Sequence, residues 1–245
     1  MEKTLKVFLR KIKNKIKSIY QTNKKDEPKH QFEYLYQKFS SYSMVSRSFF
    51  LDNLDIVNKY VSSIHLTELP IVVECGVWRG GMIAAMAEML GNQYTYYLFD
   101  SFEGLPEVKE IDGIKAKQWQ SNKEGIYYYN NCMAEISFAQ NAMLLSNINN
   151  YHIIKGWFEN TLPRFNEKAN IHILRLDADW YDSTMACLVH LFPKVCLNGI
   201  IIIDDYYTWD GCSRAVHDYL SINKRTERIQ QFNNKICFII KQEMT

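Results

Sequence analysis

The most informative part of this chain is the stretch Ile171-His172-Ile173-Leu174-Arg175-Leu176-Asp177-Ala178-Asp179-Trp180-Tyr181-Asp182. It is a short, mostly apolar run that ends abruptly in acids, and residues 199–206, Gly-Ile-Ile-Ile-Ile-Asp-Asp-Tyr, repeat that design. Continuous apolar runs of this length indicate strands buried on both faces, as in a parallel sheet covered by helices. Open α/β sheets bind their ligands at the carboxyl ends of such strands. The acids are therefore candidate site residues.

If the two runs form neighbouring strands, Asp177 faces Asp204 and Asp205 across the sheet spacing of about 5 Å. Three carboxylates that close repel one another unless a cation or protons intervene. We therefore expect a hard divalent metal ion bound by Asp177, Asp204 and Asp205. Because the acids that end the two runs have no His or Cys beside them, the residues favour Mg²⁺ over zinc, with Mn²⁺ and Ca²⁺ left open as substitutes.

Length and composition indicate a single globular domain. A chain of 245 residues, 47% of them hydrophobic, suits a single α/β domain with additions. Its six cysteines lack the paired spacing of a zinc site or a disulfide framework, so we expect them to be reduced. The sequence shows neither the apolar length of a membrane span nor a signal peptide, which predicts a cytoplasmic protein.

The near-neutral total charge is unevenly distributed. Residues 1–30 carry ten Lys and Arg against three acids, whereas the remainder carries 19 basic and 24 acidic residues, a poor footprint for nucleic acid. Apolar residues at helical spacing over residues 5–19 predict a basic amphipathic helix. Four interpretations of this segment stay open. Residues 1–20 could make weak contact with an anionic membrane, pack on a partner subunit in a homo-oligomer, fold over the chain's own domain, or form a frayed tail. We expect residues 1–30 to be a helix and linker, and residues 31–245 a single domain with N-terminal helices at 31–65 and a core at 66–245.

The segment from residue 71 to residue 101 resembles half of a nucleotide-binding βαβ unit. A strand at residues 71–76 leads through Gly80-Gly81 to a helix at 82–90 and a second strand at 94–99, which ends in Asp100. Such a carboxylate can accept both hydroxyls of a ribose. The G-x-G-x-x-G of a dinucleotide site is absent, and Glu74 would repel a pyrophosphate but suit a positively charged ligand such as S-adenosylmethionine. The alternative is a tight turn with Asp100 as a cap.

The remaining segments complete the predicted sheet. Residues 151–155 form a third strand, and Trp157-Phe158 beyond it could cover an adenine ring or simply fill core. Residues 108–130, which include three consecutive tyrosines, predict a lid or substrate loop, and Asp182 is expected to cap the following helix. Asn233-Asn234 indicates a hairpin between residues 228–232 and 236–240. The prediction is a doubly wound, mostly parallel, seven-stranded α/β sheet with a C-terminal antiparallel hairpin.

The motifs together resemble one family. They are Glu74–Gly81 (Glu-Cys-Gly-Val-Trp-Arg-Gly-Gly), Phe99–Pro106 (Phe-Asp-Ser-Phe-Glu-Gly-Leu-Pro), Gly156-Trp157-Phe158 with Thr161-Leu162-Pro163, Leu174–Thr184, and Ile203–Tyr206. In that order they are similar to the macrocin O-methyltransferases, metal-dependent class I enzymes with a Rossmann-like fold that methylate sugar hydroxyls of natural products. The resemblance covers about residues 70–220.

The resemblance implies roles for individual residues. Asp177, Asp204 and Asp205 match the family's magnesium ligands, and Asp179 beside Asp177 at the catalytic centre matches its proton acceptor. The residues that match its cofactor walls are Met44, Glu74, Cys75, Gly76, Val77, Trp78, Asp100, Ser101, Phe102, Glu103, Gly104, Trp157 and Phe158. The expected partner is a small molecule bearing a sugar hydroxyl, in a natural product, a polysaccharide or a nucleotide-linked precursor.

Two other classes of protein remain open at this point. A metal-dependent phosphotransfer or hydrolytic enzyme could also use an acidic cluster, although it would need elements that cradle a phosphate. A non-catalytic binding protein could retain the fold. For Asp179 alone, a surface acid or cap beside the true ligands is the alternative. Local pairing with acids would account for Arg175 and Arg79, and His152 and His172 are expected to be structural.

Overall fold

The computed structural model describes residues 28–64, 69–166 and 170–243. A central sheet is built from β1 (Ile71–Cys75), β2 (Thr95–Asp100), β3 (Tyr151–Lys155), β4 (Ile171–Leu176), β5 (Val195–Ile203), β6 (Gln230–Phe232) and β7 (Ile236–Ile240). The helices are α1 (residues 28–39), α2 (Arg47–Ser63), α3 (Gly81–Leu90), α4 (Gly113–Ser121), α5 (Tyr129–Cys132), α6 (Ile136–Leu145), α7 (Phe158–Thr161), α8 (Tyr181–Leu191) and α9 (Asp210–Ile222). Short 3₁₀ turns lie at Ser40–Tyr42, Glu110–Asp112, Leu162–Arg164 and Phe192–Lys194.

The seven strands lie in the order β3-β2-β1-β4-β5-β7-β6. The first five are parallel, and β7 pairs antiparallel with both β5 and β6. The predicted fold class is confirmed, including the neighbouring β4 and β5 and the terminal hairpin. The strand order reverses between β1 and β4, which is the position where doubly wound sheets bind ligands.

Two apolar layers cover the sheet because successive strand residues face opposite sides. One layer packs β-strand residues such as Val72 and Ile202 against α1, α2, α3 and α6. The other packs residues such as Val73 and Ile203 against α8 and α9. Burial of β4 is complete over all six residues, as the apolar run predicted.

The structure differs from the predictions at two places. The loop predicted over residues 108–130 contains α4, whose mixed polar and apolar residues lack a clear helical stripe. Asp182 does not cap α8, because that helix begins at Tyr181 with Trp180 in the cap position, and Asp182 instead pairs with Lys109 at the surface.

The predicted basic helix and most of its linker, residues 1–27, lie outside the described residues. Within the described ranges, no helix has the length and hydropathy needed to cross a bilayer.

Candidate active site

A cleft lies over the carboxyl ends of the four central strands. Asp100 at the end of β2, Gly76 after β1, Asp177 after β4 and Asp204 after β5 all line it. This is the edge at which the sequence placed the acids, and it coincides with the reversal of strand order.

Gly76 allows the tips of β1 and β4 to meet. Its φ is +85°, and a Cβ atom there would lie 1.7 Å from the carbonyl oxygen of Asp177. The Gly76 N–H donates to Phe99 O at 2.8 Å, and the Asp177 N–H donates to Cys75 O at 2.9 Å. Only glycine fits between these hydrogen bonds, because any side chain would push Asp177 away from the sheet.

Three carboxylates converge after β4 and β5. One oxygen from each of Asp177, Asp179 and Asp205 lies within 4.8 Å of the other two. Asp179 has a left-handed backbone (φ 54°) and its N–H faces Asp205 Oδ2 at 3.3 Å. Burial, reinforced by the charge of Asp177, raises the pKa of Asp179 to about 7. Burial and the charge of Asp179 also raise the pKa of Asp205 well above its usual range.

Asp204 lines the same cleft, but the buried Arg175 binds its carboxylate from the interior of the protein. Arg175, which is fully buried in β4, forms ion pairs with Asp204, Glu74 and Asp177, the last at 2.9 Å. Burial raises the pKa of Asp204 to about 8 against the opposing effect of Arg175. The predicted pairing of Arg175 with local acids is confirmed. The cluster that the structure brings together thus contains Asp179 in addition to two of the three predicted ligands.

An aromatic wall lies beside the acids; it consists of Trp119 and Trp209, which line the cleft, and Trp180, which is buried against them. The centroids of these indole rings are 5.2–6.0 Å apart, and Trp209 Nε1 donates to Asp179 Oδ1 at 2.9 Å. Sequence reasoning missed Trp119 and Trp209. Four of the five tryptophans in the chain line the cleft, which only the folded structure shows.

Asp100 holds the opposite end of the cleft together. Its two oxygens accept the N–H groups of Trp78 at 2.8 Å and Phe102 at 2.6 Å, two residues with left-handed φ angles of 49° and 57°. Burial raises the pKa of Asp100 to about 6, although these backbone hydrogen bonds oppose the shift. Met44, Trp78, Ser101, Gly104, Trp157 and Phe158, all predicted cofactor residues, line this part of the cleft.

Five other predicted cofactor residues do not line the cleft. Cys75, Val77 and Phe102 are buried in the apolar layers, and Glu74 is buried against Arg175. Glu103 is exposed, 4.0 Å from Lys155. Glu74 and Cys75 lie within β1, where side chains point into the two buried faces of the sheet, whereas the cleft lies beyond the end of the strand.

Arg79, beside that turn, also differs from expectation. Its guanidinium lies over the rings of Trp78 and Phe138, at 4.3 and 4.5 Å from their centroids. Aromatic stacking therefore accounts for Arg79 where pairing with an acid was expected.

The tyrosine-rich segment forms part of the cleft wall. Tyr127, Tyr129 and Cys132 line it, and the four residues of α5 all have left-handed φ angles, from 47° to 59°. Asn131 in this turn accepts the N–H of Leu105 at 2.9 Å and donates from its side chain to Leu105 O at 2.7 Å. The predicted substrate loop is thus tied to the segment that follows β2.

The cleft has one sign of charge. Its lining includes six acids, namely Asp100, Glu159, Asp177, Asp179, Asp204 and Asp205, and contains no Lys, Arg or His in the part of the chain that the structure describes. Walls of one charge favour a ligand of the opposite charge.

Comparison with protein families matches residues 1–241 to the family described as macrocin-O-methyltransferase (TylF). The chain is 33% identical over 159 residues to demethyldecarbamoylnovobiocin O-methyltransferase of Streptomyces niveus, and 33% identical over 153 residues to 8-demethyl-8-(2,3-dimethoxy-alpha-L-rhamnosyl)-tetracenomycin-C 4'-O-methyltransferase of Streptomyces olivaceus. Each match covers 60% of this chain and 57% of the relative, so the chain spans less than two thirds of these relatives.

The structure is similar to that of the solved O-methyltransferase NovP. The TM-score is 0.67 at 24% identity, over 82% of this chain and 83% of that one. The chain therefore has a methyltransferase fold.

Proposed function

The chain belongs to the macrocin O-methyltransferase family, and on that premise we propose that it moves a methyl group from S-adenosylmethionine to a sugar hydroxyl with Mg²⁺ as cofactor. The charge of the cleft carries the proposal. S-adenosylmethionine brings a sulfonium and an ammonium group, which complement a lining of six acids with no described basic residue. The same lining opposes the phosphotransfer alternative, because a phosphate would meet only acids there.

The donor fits the end of the cleft next to β2 and β3. Asp100 lies where a ribose hydroxyl would be accepted, and the rings of Trp157 and Phe158 offer apolar surface for an adenine. Trp78 Nε1 is buried and has no hydrogen-bond partner within the described residues. An indole N–H without a partner is costly in a buried position, so a polar group of the donor would satisfy it.

The acids at the other end suit a magnesium ion. Asp177, Asp179 and Asp205 offer only oxygen atoms, which are the ligands that Mg²⁺ prefers, and a cation would relieve their mutual repulsion. Asp177 and Asp205 would hold the ion, with Asp204 as the third ligand that the family resemblance suggests. When bound, the ion supplies positive charge that lowers the pKa of a coordinated hydroxyl.

Asp179 is proposed as the proton acceptor. Trp209 fixes one of its oxygens, which leaves the other for the acceptor hydroxyl. The hydroxyl oxygen forms a bond to the methyl carbon while the bond from that carbon to sulfur breaks. The hydroxyl proton passes to Asp179. A carboxylate whose pKa is raised to about 7 by burial and by Asp177 is a stronger base than an exposed one, which matches this task.

The acceptor would lie against the aromatic wall. Trp119 and Trp209 line the cleft beside the acids, and flat apolar rings suit the C–H faces of a sugar. The name of one relative specifies a rhamnosyl-bearing substrate. We therefore propose a sugar unit of a small molecule as the acceptor.

Thermal unfolding with S-adenosylmethionine and Mg²⁺, separately and together, tests the donor and the cation first. Stabilisation by both is expected, and stabilisation by neither would refute the proposal. A second experiment tests the acceptor class. The protein is incubated with S-adenosylmethionine, Mg²⁺ and a panel of rhamnosides and other deoxysugar glycosides, and mass spectrometry then detects any product with one added methyl group.

Asp179→Asn tests the proton acceptor. Turnover should fall by about 10²-fold or more, in the range of a general base, whereas the affinities for Mg²⁺ and S-adenosylmethionine should stay near those of the unaltered protein. Asp205→Asn is the matched control and should weaken Mg²⁺ binding directly. Loss of Mg²⁺ affinity in Asp179→Asn, measured by calorimetry, would reassign Asp179 as a metal ligand.

A further inference from the structure

Arg175 is the only charged residue within β4, a strand in which all six residues are buried. Its side chain is 1% exposed. Taking a guanidinium out of water is costly unless partners compensate for it. A strand flanked by apolar helices does not need this residue for packing, so its position calls for another explanation.

The contacts of Arg175 come from β1, from the residues that follow β4 and β5, and from α2. Its Nη1 contacts Glu74 on β1 and Asp177 Oδ2, its Nη2 contacts Asp204 Oδ1 after β5, and its Nε faces Asn53 Oδ1 on α2 at 3.4 Å. Strand geometry explains the convergence. Arg175 and Asp177 share a face because they are two residues apart, and Glu74 lies beside Arg175 in the register of β1 and β4.

Arg175 holds each of the two cleft acids, Asp177 and Asp204, by one carboxylate oxygen. Arg175 binds Oδ2 of Asp177 and Oδ1 of Asp204, both of which line the cleft, whereas Glu74 does not. Each carboxylate keeps a second oxygen that Arg175 does not engage. A planar guanidinium can fix two carboxylates at once because its donors have a rigid geometry.

We propose that Arg175 is a positioning residue for the metal site: its guanidinium fixes the rotation of Asp177 and Asp204, so that the second oxygen of each would be free to hold a cation. Glu74 holds the guanidinium from behind, and Asn53 links it to α2. Groups that hydrogen-bond to metal ligands set the orientation of those ligands, and losing them commonly weakens metal affinity by about 10- to 100-fold. The inference rests on the proposed function, since it presupposes that the acids bind Mg²⁺.

A rival explanation is that Arg175 only neutralises buried acids. The two explanations separate in Arg175→Lys, which keeps the charge but replaces the planar group with a single ammonium. If charge alone mattered, this variant would bind Mg²⁺ as the unaltered protein does. If geometry matters, Mg²⁺ affinity falls by about 10-fold or more although the charge is unchanged.

The experiment measures the Mg²⁺ dissociation constant by calorimetry on the full chain, without donor or acceptor, together with cooperative thermal unfolding. Glu74→Gln is the matched control, because it removes a buried negative charge but keeps an oxygen that can accept from Arg175 and changes no cleft acid, and its Mg²⁺ affinity should change less than about threefold. Should Arg175→Lys fail to unfold cooperatively, the double variant Glu74→Leu/Arg175→Met decides the matter, since replacing a buried pair by apolar residues is often tolerated. Its affinity should also fall, although the variant removes one positive and one negative charge and leaves the net charge unchanged.

The positioning role is overturned if a folded Arg175→Lys protein has an unchanged Mg²⁺ dissociation constant. The same result in the double variant overturns it where Arg175→Lys does not fold. Absence of Mg²⁺ binding by the unaltered chain is a different result. It refutes the metal assignment in the proposed function, and the role of Arg175 with it.

Discussion

Replacing Gly76 with alanine should separate the tips of β1 and β4 and disable the site more than the fold. The added Cβ would lie 1.7 Å from the Asp177 carbonyl oxygen and 2.8 Å from its carbonyl carbon. Both are backbone atoms, so rotation of a side chain cannot relieve the overlap. Asp177 must move away from the sheet, together with its carboxylate.

The cost can be worked out from two contributions. A non-glycine residue at a φ of +85° costs about 1–2 kcal/mol. Displacing Asp177 also puts at risk its hydrogen bond to Cys75 O and the bond from Asp204 N–H to Leu176 O, at about 0.5–1.5 kcal/mol each. The sum is about 2–5 kcal/mol, which lies below the stability of most domains, about 5–15 kcal/mol, so the variant should still fold. At about 2–4 °C per kcal/mol, its unfolding midpoint should fall by about 4–20 °C.

Gly91→Ala provides the control, because Gly91 has the same φ of +85° but no atom within 4 Å of the added Cβ. Both variants should lose stability in thermal unfolding, and only Gly76→Ala should lose the additional stabilisation by Mg²⁺ and S-adenosylmethionine. Equal responses to the ligands in Gly76→Ala and in the unaltered chain would refute the argument that close approach of β1 and β4 builds the site.

Two further predictions concern the hydrogen bonds that hold single carboxylates. Trp209→Phe removes the N–H that holds Asp179, so turnover should fall by about 10-fold or more while Mg²⁺ affinity persists. Trp180→Phe is the control, because it removes only an N–H that donates to Pro106 O. Equal turnover in the two variants would contradict the role of Trp209. Burial alone would raise the pKa of Glu227, but hydrogen bonds from Arg225 and from the Gln242 N–H lower it overall. A lowered carboxyl pKa stabilises the fold above the unfolded value of about 4.3 and loses that effect as the pH falls. Glu227→Gln should therefore lower the free energy of unfolding, measured with urea, by about 1–3 kcal/mol at pH 7 and by less below about pH 4. A decrease that does not depend on pH would contradict this account.

Much of the fold could be predicted because its signals are local. The strand at Tyr151–Lys155 was placed with the same bounds, and the continuous apolar runs of β4 and β5 indicated buried parallel neighbours. The acids that follow those runs indicated the ligand-binding edge for the same reason, since parallel strands end at one side of a sheet. Resemblance to a family added the individual roles, several of which remain proposals.

Other features of the site could not be predicted from local patterns. Trp119 lies on α4, a helix without a distinct apolar stripe, and lines the cleft only because that helix packs on α9 and brings its ring against Trp180 and Trp209. The left-handed turn at Tyr129–Cys132 contains no glycine that would have marked it. Glu74 was assigned to the cofactor wall, although the pairing register of β1 and β4 directs it to Arg175.

The sequence by itself therefore determined the elements of the sheet, their order along the chain and the edge where ligands bind, because strand periodicity is set by neighbouring residues and parallel strands end at one side of a sheet. Tertiary structure alone decided which oxygen of each acid is engaged and which tryptophans stand beside Asp179. Those choices depend on contacts such as Arg175 with Asn53, 122 positions apart in the chain, whose distance is fixed only when the layers pack.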